Sequence, residues 1–206
     1  VEIAKLLEPK VDYFGVAYLD EGAALRNAGI KTPILVLHPQ KATIEKIIKY
    51  ELEPNIYSIN LLKAFIEKAA QLKLQNYPIH LKFNTGLNRL GFEPSELDLV
   101  AEQFSKTTAL KVKSVFSHLA ASEDSEEKEF TLNQIKLYKS LSATLIEKLG
   151  YSVIRHLCNT SGVLNYPDAH FDMVRCGIGL YGYSNSAAEA KNFKPIAALK
   201  SVISQI

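Results

Sequence analysis

The chain has 206 residues, 47% of them apolar, with 24 basic and 22 acidic side chains and a net charge of +2. That supports one sizeable core but is short for a two-domain enzyme, and so balanced a charge offers no field for nucleic acid or an anionic membrane; a small-molecule partner is expected. No apolar run approaches the roughly 20 residues that span a bilayer, and Val1 to Lys10 lacks a signal peptide's basic-then-apolar order, so a soluble, cytoplasmic protein is expected.

Seven β-rich runs follow one another at 11–18, 33–38, 55–59, 79–84, 111–119, 153–159 and 171–178, each rich in Val, Ile, Tyr or Phe and bounded by turn residues. Amphipathic stretches fill the gaps. Ile44, Ile47 and Ile48 form one stripe, Leu61, Phe65, Ile66, Ala69 and Leu72 a second, and Leu137, Leu141, Leu145 and Leu149 a third that stops at Gly150, a predicted helix C-cap. Such alternation is the pattern of stacked βα units around a parallel sheet. Two α/β architectures fit it, a TIM-type (β/α)8 barrel and an open doubly wound sheet. The barrel, lacking its first strand, is the expectation, because eight units usually need about 250 residues and seven runs here carry no long insertion.

The first residue is Val and the last stretch is strand-like, which reads as a piece of a longer protein. From Lys194 the alternation of Ile196, Ala198, Val202 and Ile203 reads as a strand with no helix before it. Residues 1–193 are therefore expected to form the barrel and 194–206 to begin a separate β domain. Cys158 and Cys176 are too few for a disulfide framework and lack metal-ligand spacing with the five histidines, so reduced thiols and no metal are expected. The acidic stretch 122–129 reads as a solvated loop.

Catalytic groups of a parallel barrel gather at the C-terminal strand ends, and there this sequence is unusual. In the fourth run Ile79, Leu81 and Phe83 share one face while His80, Lys82 and Asn84 share the other. If the apolar set faces the helices, Lys82 points into the barrel; the alternative is an edge strand with a wet face. The fifth run ends in Ser117-His118, where an imidazole can stack on a flat heterocycle or serve structure alone. His156 and Asn159-Thr160 end the sixth, and in the seventh Arg175 precedes Cys176-Gly177-Ile178-Gly179. Glycines after a strand let backbone N–H groups approach a phosphate, and the Thr160 hydroxyl can add a donor. The same residues can equally make a tight turn and a helix cap.

The combination is more specific than its parts. The run from Leu81 to Gly91, Ser117-His118, His156 with Asn159-Thr160, and the run from Asp172 to Gly182 resemble, in the same order, the motifs of the alanine racemase family. That resemblance covers essentially the whole chain and implies a pyridoxal 5'-phosphate enzyme, a fold-type III isomerase that interconverts L- and D-alanine. It implies that His118 lies against the pyridine ring and that Arg175 faces the pyridine nitrogen with His156 behind it. Asn159 and Thr160, with the backbone of Gly177 and Ile178, would hold the phosphate, while Arg89 steers the alanine carboxylate beside Lys82. The catalytic set implied is thus Lys82, Arg89, His118 and Arg175. It further implies a homodimeric parent that supplies D-alanine for peptidoglycan. Family members usually carry Asp where this chain has Asn84, and commonly Ser where it has Thr160. The family's cofactor lysine and its partner-subunit tyrosine match no residue here, so the chain alone is expected to be inactive. Two alternatives stand beside the racemase: a non-catalytic pyridoxal-phosphate barrel, and a barrel that binds a phosphorylated metabolite.

Overall fold

A computed structural model describes residues 1–198, 200–202 and 205. Six strands, β1 (Phe14–Val16), β2 (Ile34–Val36), β3 (Glu53–Ile56), β4 (Tyr77–Lys82), β5 (Leu110–Phe116) and β6 (Ile154–His156), lie in strict sequence order in one parallel sheet. A doubly wound sheet reverses its strand order at a switch point. This one never does, and it curls into a half-barrel, open between β1 and β6.

The helices are α1 (Glu2–Leu7), α2 (Leu19–Asn27), α3 (Ile44–Lys49), α4 (Ile59–Gln71), α5 (Leu97–Ser105), α6 (Lys128–Leu149), α7 (Thr160–Asn165) and α8 (Ala187–Ala190). Local chemistry sets several of their ends. Ser58 accepts the Leu61 N–H at the start of α4, and Asn159 accepts the Gly162 N–H at the start of α7. Gly150 ends α6 at φ 74°, a left-handed conformation that suits a residue without Cβ. The stripes on α3 and α4 enter the core, but Leu72 and Leu137 do not. Leu72 is the C-cap of α4 and is exposed, while over the 22 residues of α6 the buried face drifts to Tyr138, Leu141 and Leu145.

Ile79, Leu81 and Phe83 pack with Leu62, Phe65 and Val100 in the layer between sheet and helices, so His80 and Lys82 turn to the inner face. On β5 the alternation breaks. Ile79 pairs with Val112 and His80 with Ser114, leaving Lys113 as a bulge. Val112 and Val115 thus both face the helices, and Ser114 and Phe116 both face the interior beside His80.

The seventh β-rich run is not a strand, which corrects the sequence expectation. Only an isolated parallel bridge, His156 to Met173, survives of it. Phe171 sits at φ 52°, and the Asp172 carboxylate takes the Arg155 N–H at 2.8 Å that a ladder carbonyl would take. A short 3-10 turn then occupies Ile178–Tyr181. In the stretch after Lys194, the described residues carry no strand, and Ile203 lies outside them.

Candidate active site

The C-terminal ends of β5 and β6 converge on Arg175. Its Nη1 donates to His156 Nδ1 at 2.6 Å, and its Nη2 to the carbonyls of Ser117 at 2.7 Å and Leu157 at 2.9 Å, with His118 Nδ1 at 3.3 Å. The guanidinium lies 5.2 Å from the centroid of the Phe116 ring, which stacks on His156 at 4.6 Å and 9°. Lys82 Nζ lies 5.9 Å from that same ring. Aromatic faces thus take the place that counter-ions would hold.

The charges here are unusual because water is excluded and the neighbours share one sign. Burial, then Arg89 and Arg175, lowers the Lys82 ammonium to about 8. Burial, then the Arg175, Lys82 and Arg89 charges, lowers His118 to about 3. His156 falls well below its ordinary value through burial, Arg175 and His80. Burial brings even Arg175 down to about 10. Both imidazoles are therefore neutral at physiological pH, and Arg175 remains a cation.

Beyond β6, Thr160 Oγ1 accepts the N–H of Gly177 at 3.2 Å and of Gly179 at 3.3 Å. That contact gathers a hydroxyl and two amides into one loop, and it joins both glycines of the Gly177-Ile178-Gly179 run to Thr160. Among the described residues no comparable contact to Thr160 involves Ile178, whose side chain is exposed. Asn159 is engaged in structure: its Oδ1 accepts from Gly162 N and from the Ser122 hydroxyl at 2.7 Å. The acidic stretch thus begins with a buried anchor, Ser122.

Arg89 lies outside the buried cluster, yet its charge acts on Lys82 and His118. It is exposed on the loop after β4 and forms no ion pair among the described residues. The loop itself is fixed: Phe92 N donates to the Lys82 carbonyl and Asn84 N to the Phe92 carbonyl, both at 2.8 Å. Gly91 at φ 137° permits the return, since a Cβ there would lie 2.6 Å from the Asn84 nitrogen. Sequence reading missed Ser114, Phe116 and Glu53, which carry no motif.

The model of the family "Alanine racemase, N-terminal domain" matches residues 1–185. The chain belongs to the alanine racemase family. It is 33% identical over 200 residues to alanine racemase 1 of Oceanobacillus iheyensis, covering 96% of this chain and 52% of that one. The alanine racemase of Carboxydothermus hydrogenoformans is 35% identical over 211 residues, with 100% and 56% covered. Among solved structures, an alanine racemase of Clostridium difficile 630 superposes with a TM-score of 0.84 at 34% identity, covering 91% of this chain and 49% of that one. The chain spans about half the length of these racemases. The family's cofactor, pyridoxal phosphate, can be tested against the donor set. Its phosphate needs hydrogen-bond donors and a site free of carboxylates, and its pyridine nitrogen accepts a hydrogen bond. The Thr160 hydroxyl, whose oxygen accepts from Gly177 and Gly179 while its own hydrogen can be donated, and the Arg175 guanidinium, with N–H groups beyond those given to His156, Ser117 and Leu157, can supply these donors. The Glu189 carboxylate near Thr160 is taken up by Ser161 and Asn165.

Proposed function

We propose that this chain carries the pyridoxal-phosphate barrel of an alanine racemase that interconverts L- and D-alanine. The strongest support is the Arg175 to His156 hydrogen bond, which presents a permanent cation where the pyridine nitrogen would lie. When bound, the cofactor supplies the electron sink for loss of the alanine Cα proton. A guanidinium donates a hydrogen bond to the ring nitrogen without surrendering its proton, because its pKa of about 10 still lies far above that of a pyridine. The sink is thereby kept weak, which favours return of the proton to Cα. His118, held neutral, offers a flat face to the ring without adding charge. Thr160 with the backbone of Gly177 and Ile178, joined by Gly179, would bind the phosphate, Asn159 holding that turn in place.

Arg89 would draw the alanine carboxylate to the mouth of the site. Lys82, readily neutral, can react with carbon dioxide: its amine nitrogen attacks the carbon, one proton leaves to solvent, and an anionic carbamate remains to orient Arg89. The cofactor lysine and the second-base tyrosine match no residue here, so both are assigned to other parts of the parent homodimer, and the 206 residues alone are expected to be inactive. The β domain would begin after residue 193. A cytoplasmic enzyme supplying D-alanine for peptidoglycan is the corresponding cellular role.

The test is direct. The full-length protein loaded with pyridoxal phosphate should bring L-alanine to an equal mixture of enantiomers, read by chiral chromatography. Cofactor binding without any D-alanine would assign the non-catalytic barrel instead. Binding of phosphorylated metabolites with no pyridoxal-phosphate absorbance band would assign the third alternative.

A further inference from the structure

Behind Arg175, a line of hydrogen bonds crosses the inner face of four consecutive strands. From His156 on β6, Nε2 lies 2.8 Å from Ser114 Oγ on β5. Ser114 Oγ lies 2.5 Å from His80 Nδ1 on β4, and His80 Nε2 lies 2.8 Å from Glu53 Oε2 on β3. The Tyr13 hydroxyl donates to the same carboxylate oxygen at 3.0 Å. His80, Ser114 and His156 are each 0% exposed, so water cannot substitute for a missing link.

The direction of every bond in this line follows from its two ends. A guanidinium can only donate, so His156 Nδ1 must be bare. A neutral imidazole carries one hydrogen, so that of His156 sits on Nε2 and is given to Ser114. Ser114 then has one hydrogen of its own, and the remaining polar atom within reach is His80 Nδ1, which must likewise be bare. The His80 hydrogen is thus on Nε2 and is given to Glu53, whose carboxylate only accepts. Reversing any one link sets two donors or two acceptors face to face in a site without solvent, where each unsatisfied group bears its full desolvation penalty.

We propose that Glu53 is a positioning residue for the Arg175 site: as the terminal acceptor of a one-directional line, it fixes both buried histidines as Nε2–H tautomers and so keeps a lone pair of His156 aimed at Arg175. Ser114 is the coupling element, and it reaches this position only because the Lys113 bulge resets the alternation of β5. Burial raises the Glu53 carboxyl, but the hydrogen bonds from His80 and Tyr13 and the Lys113 charge outweigh that and leave it below its ordinary value, as a terminal acceptor requires. The relevance to catalysis rests on the role given to Arg175 above, whereas the tautomers are measured without cofactor, so the two fail separately.

The test is nitrogen NMR of the full-length, cofactor-free protein labelled with ¹⁵N-histidine. In wild type, His80 and His156 should each show a protonated Nε2 and an unprotonated Nδ1. Glu53→Leu should shift the His156 Nδ1 resonance and move part of the His80 hydrogen to Nδ1. Glu53→Gln, which keeps an oxygen acceptor, should restore the wild-type tautomers. In a Ser114→Ala background, Glu53→Leu should no longer move His156. A hydrogen on His156 Nδ1 in wild type overturns the proposal even if no variant folds. So does a His156 response that is absent with Ser114 present or undiminished once Ser114 is removed.

Discussion

Arg175 Nη1 and His156 Nδ1 lie 2.6 Å apart, and no carboxylate touches that guanidinium among the described residues. The cation is held instead by carbonyls, an imidazole lone pair and the Phe116 face. A charge buried this way depends on the fork of its donors. Arg175→Lys keeps the charge and loses the fork, leaving the carbonyls of Ser117 and Leu157 without their shared donor. Two such losses predict a fall of about 2–4 kcal/mol in unfolding free energy, measured by urea titration. A change below about 0.5 kcal/mol would contradict the geometry.

Lys82 should make stability depend on pH. Its folded-state value of about 8 lies below the ordinary 10.5, so the unfolded chain binds more protons between those two values and stability rises with pH across that window. Below it the penalty is fully present, on the order of 3 kcal/mol. Lys82→Met keeps the apolar stem and removes the charge. At pH 7 it should be more stable than wild type, and the advantage should shrink as pH climbs toward 10. Cys158, raised to about 11 by burial, titrates with the opposite sign in both proteins and cancels in the difference.

The same depressed ammonium predicts chemistry. With ¹³C-bicarbonate near neutral pH, the full-length protein should give a carbamate signal in carbon NMR that is absent from Lys82→Ala. No signal in saturating bicarbonate would leave Lys82 an unmodified amine.

Asn84 is the centre of the loop that carries Arg89. Its Nδ2 donates to Asn88 Oδ1 at 2.8 Å and to Glu93 Oε1 at 2.9 Å, while its Oδ1 accepts the Gly86 and Asn88 N–H groups. An aspartate would keep the second pair of bonds and turn the first into repulsion against Glu93. Asn84→Asp should therefore cost about 1 kcal/mol in this partly solvated setting. Adding Glu93→Gln should recover most of that loss, as should lowering the pH through the carboxylate range. Equal destabilisation in both backgrounds would show that the Glu93 contact is immaterial.

His80 and Lys82 on the inner face of β4 were legible in advance because a strand has period two and Ile79, Leu81 and Phe83 mark the helix-facing side. The same logic fails on β5. Counting alternate positions from Val112 puts Ser114 among the helices, and only the extra residue at Lys113 turns it inward. Bulges are set by the neighbouring strand's register and leave no compositional trace. The run at 171–178 has strand composition, yet Phe171 and the Asp172 carboxylate break the ladder. Glu53 is a lone acid at a strand start, and nothing local distinguishes it from a solvated one.

By itself, the sequence determined the order of βα units, the apolar faces of α3 and α4, the cap at Gly150 and the strand ends that carry His118, His156 and Thr160. These follow from periodicity and backbone preference, which act over a few neighbouring residues. Only the tertiary structure decided that Arg175 meets His156, that Arg89 stays outside the buried cluster, and that Glu53 lies at the far end of a line through Ser114. Those relationships join residues 19 to 42 positions apart, and their geometry comes from strand register and a single bulge.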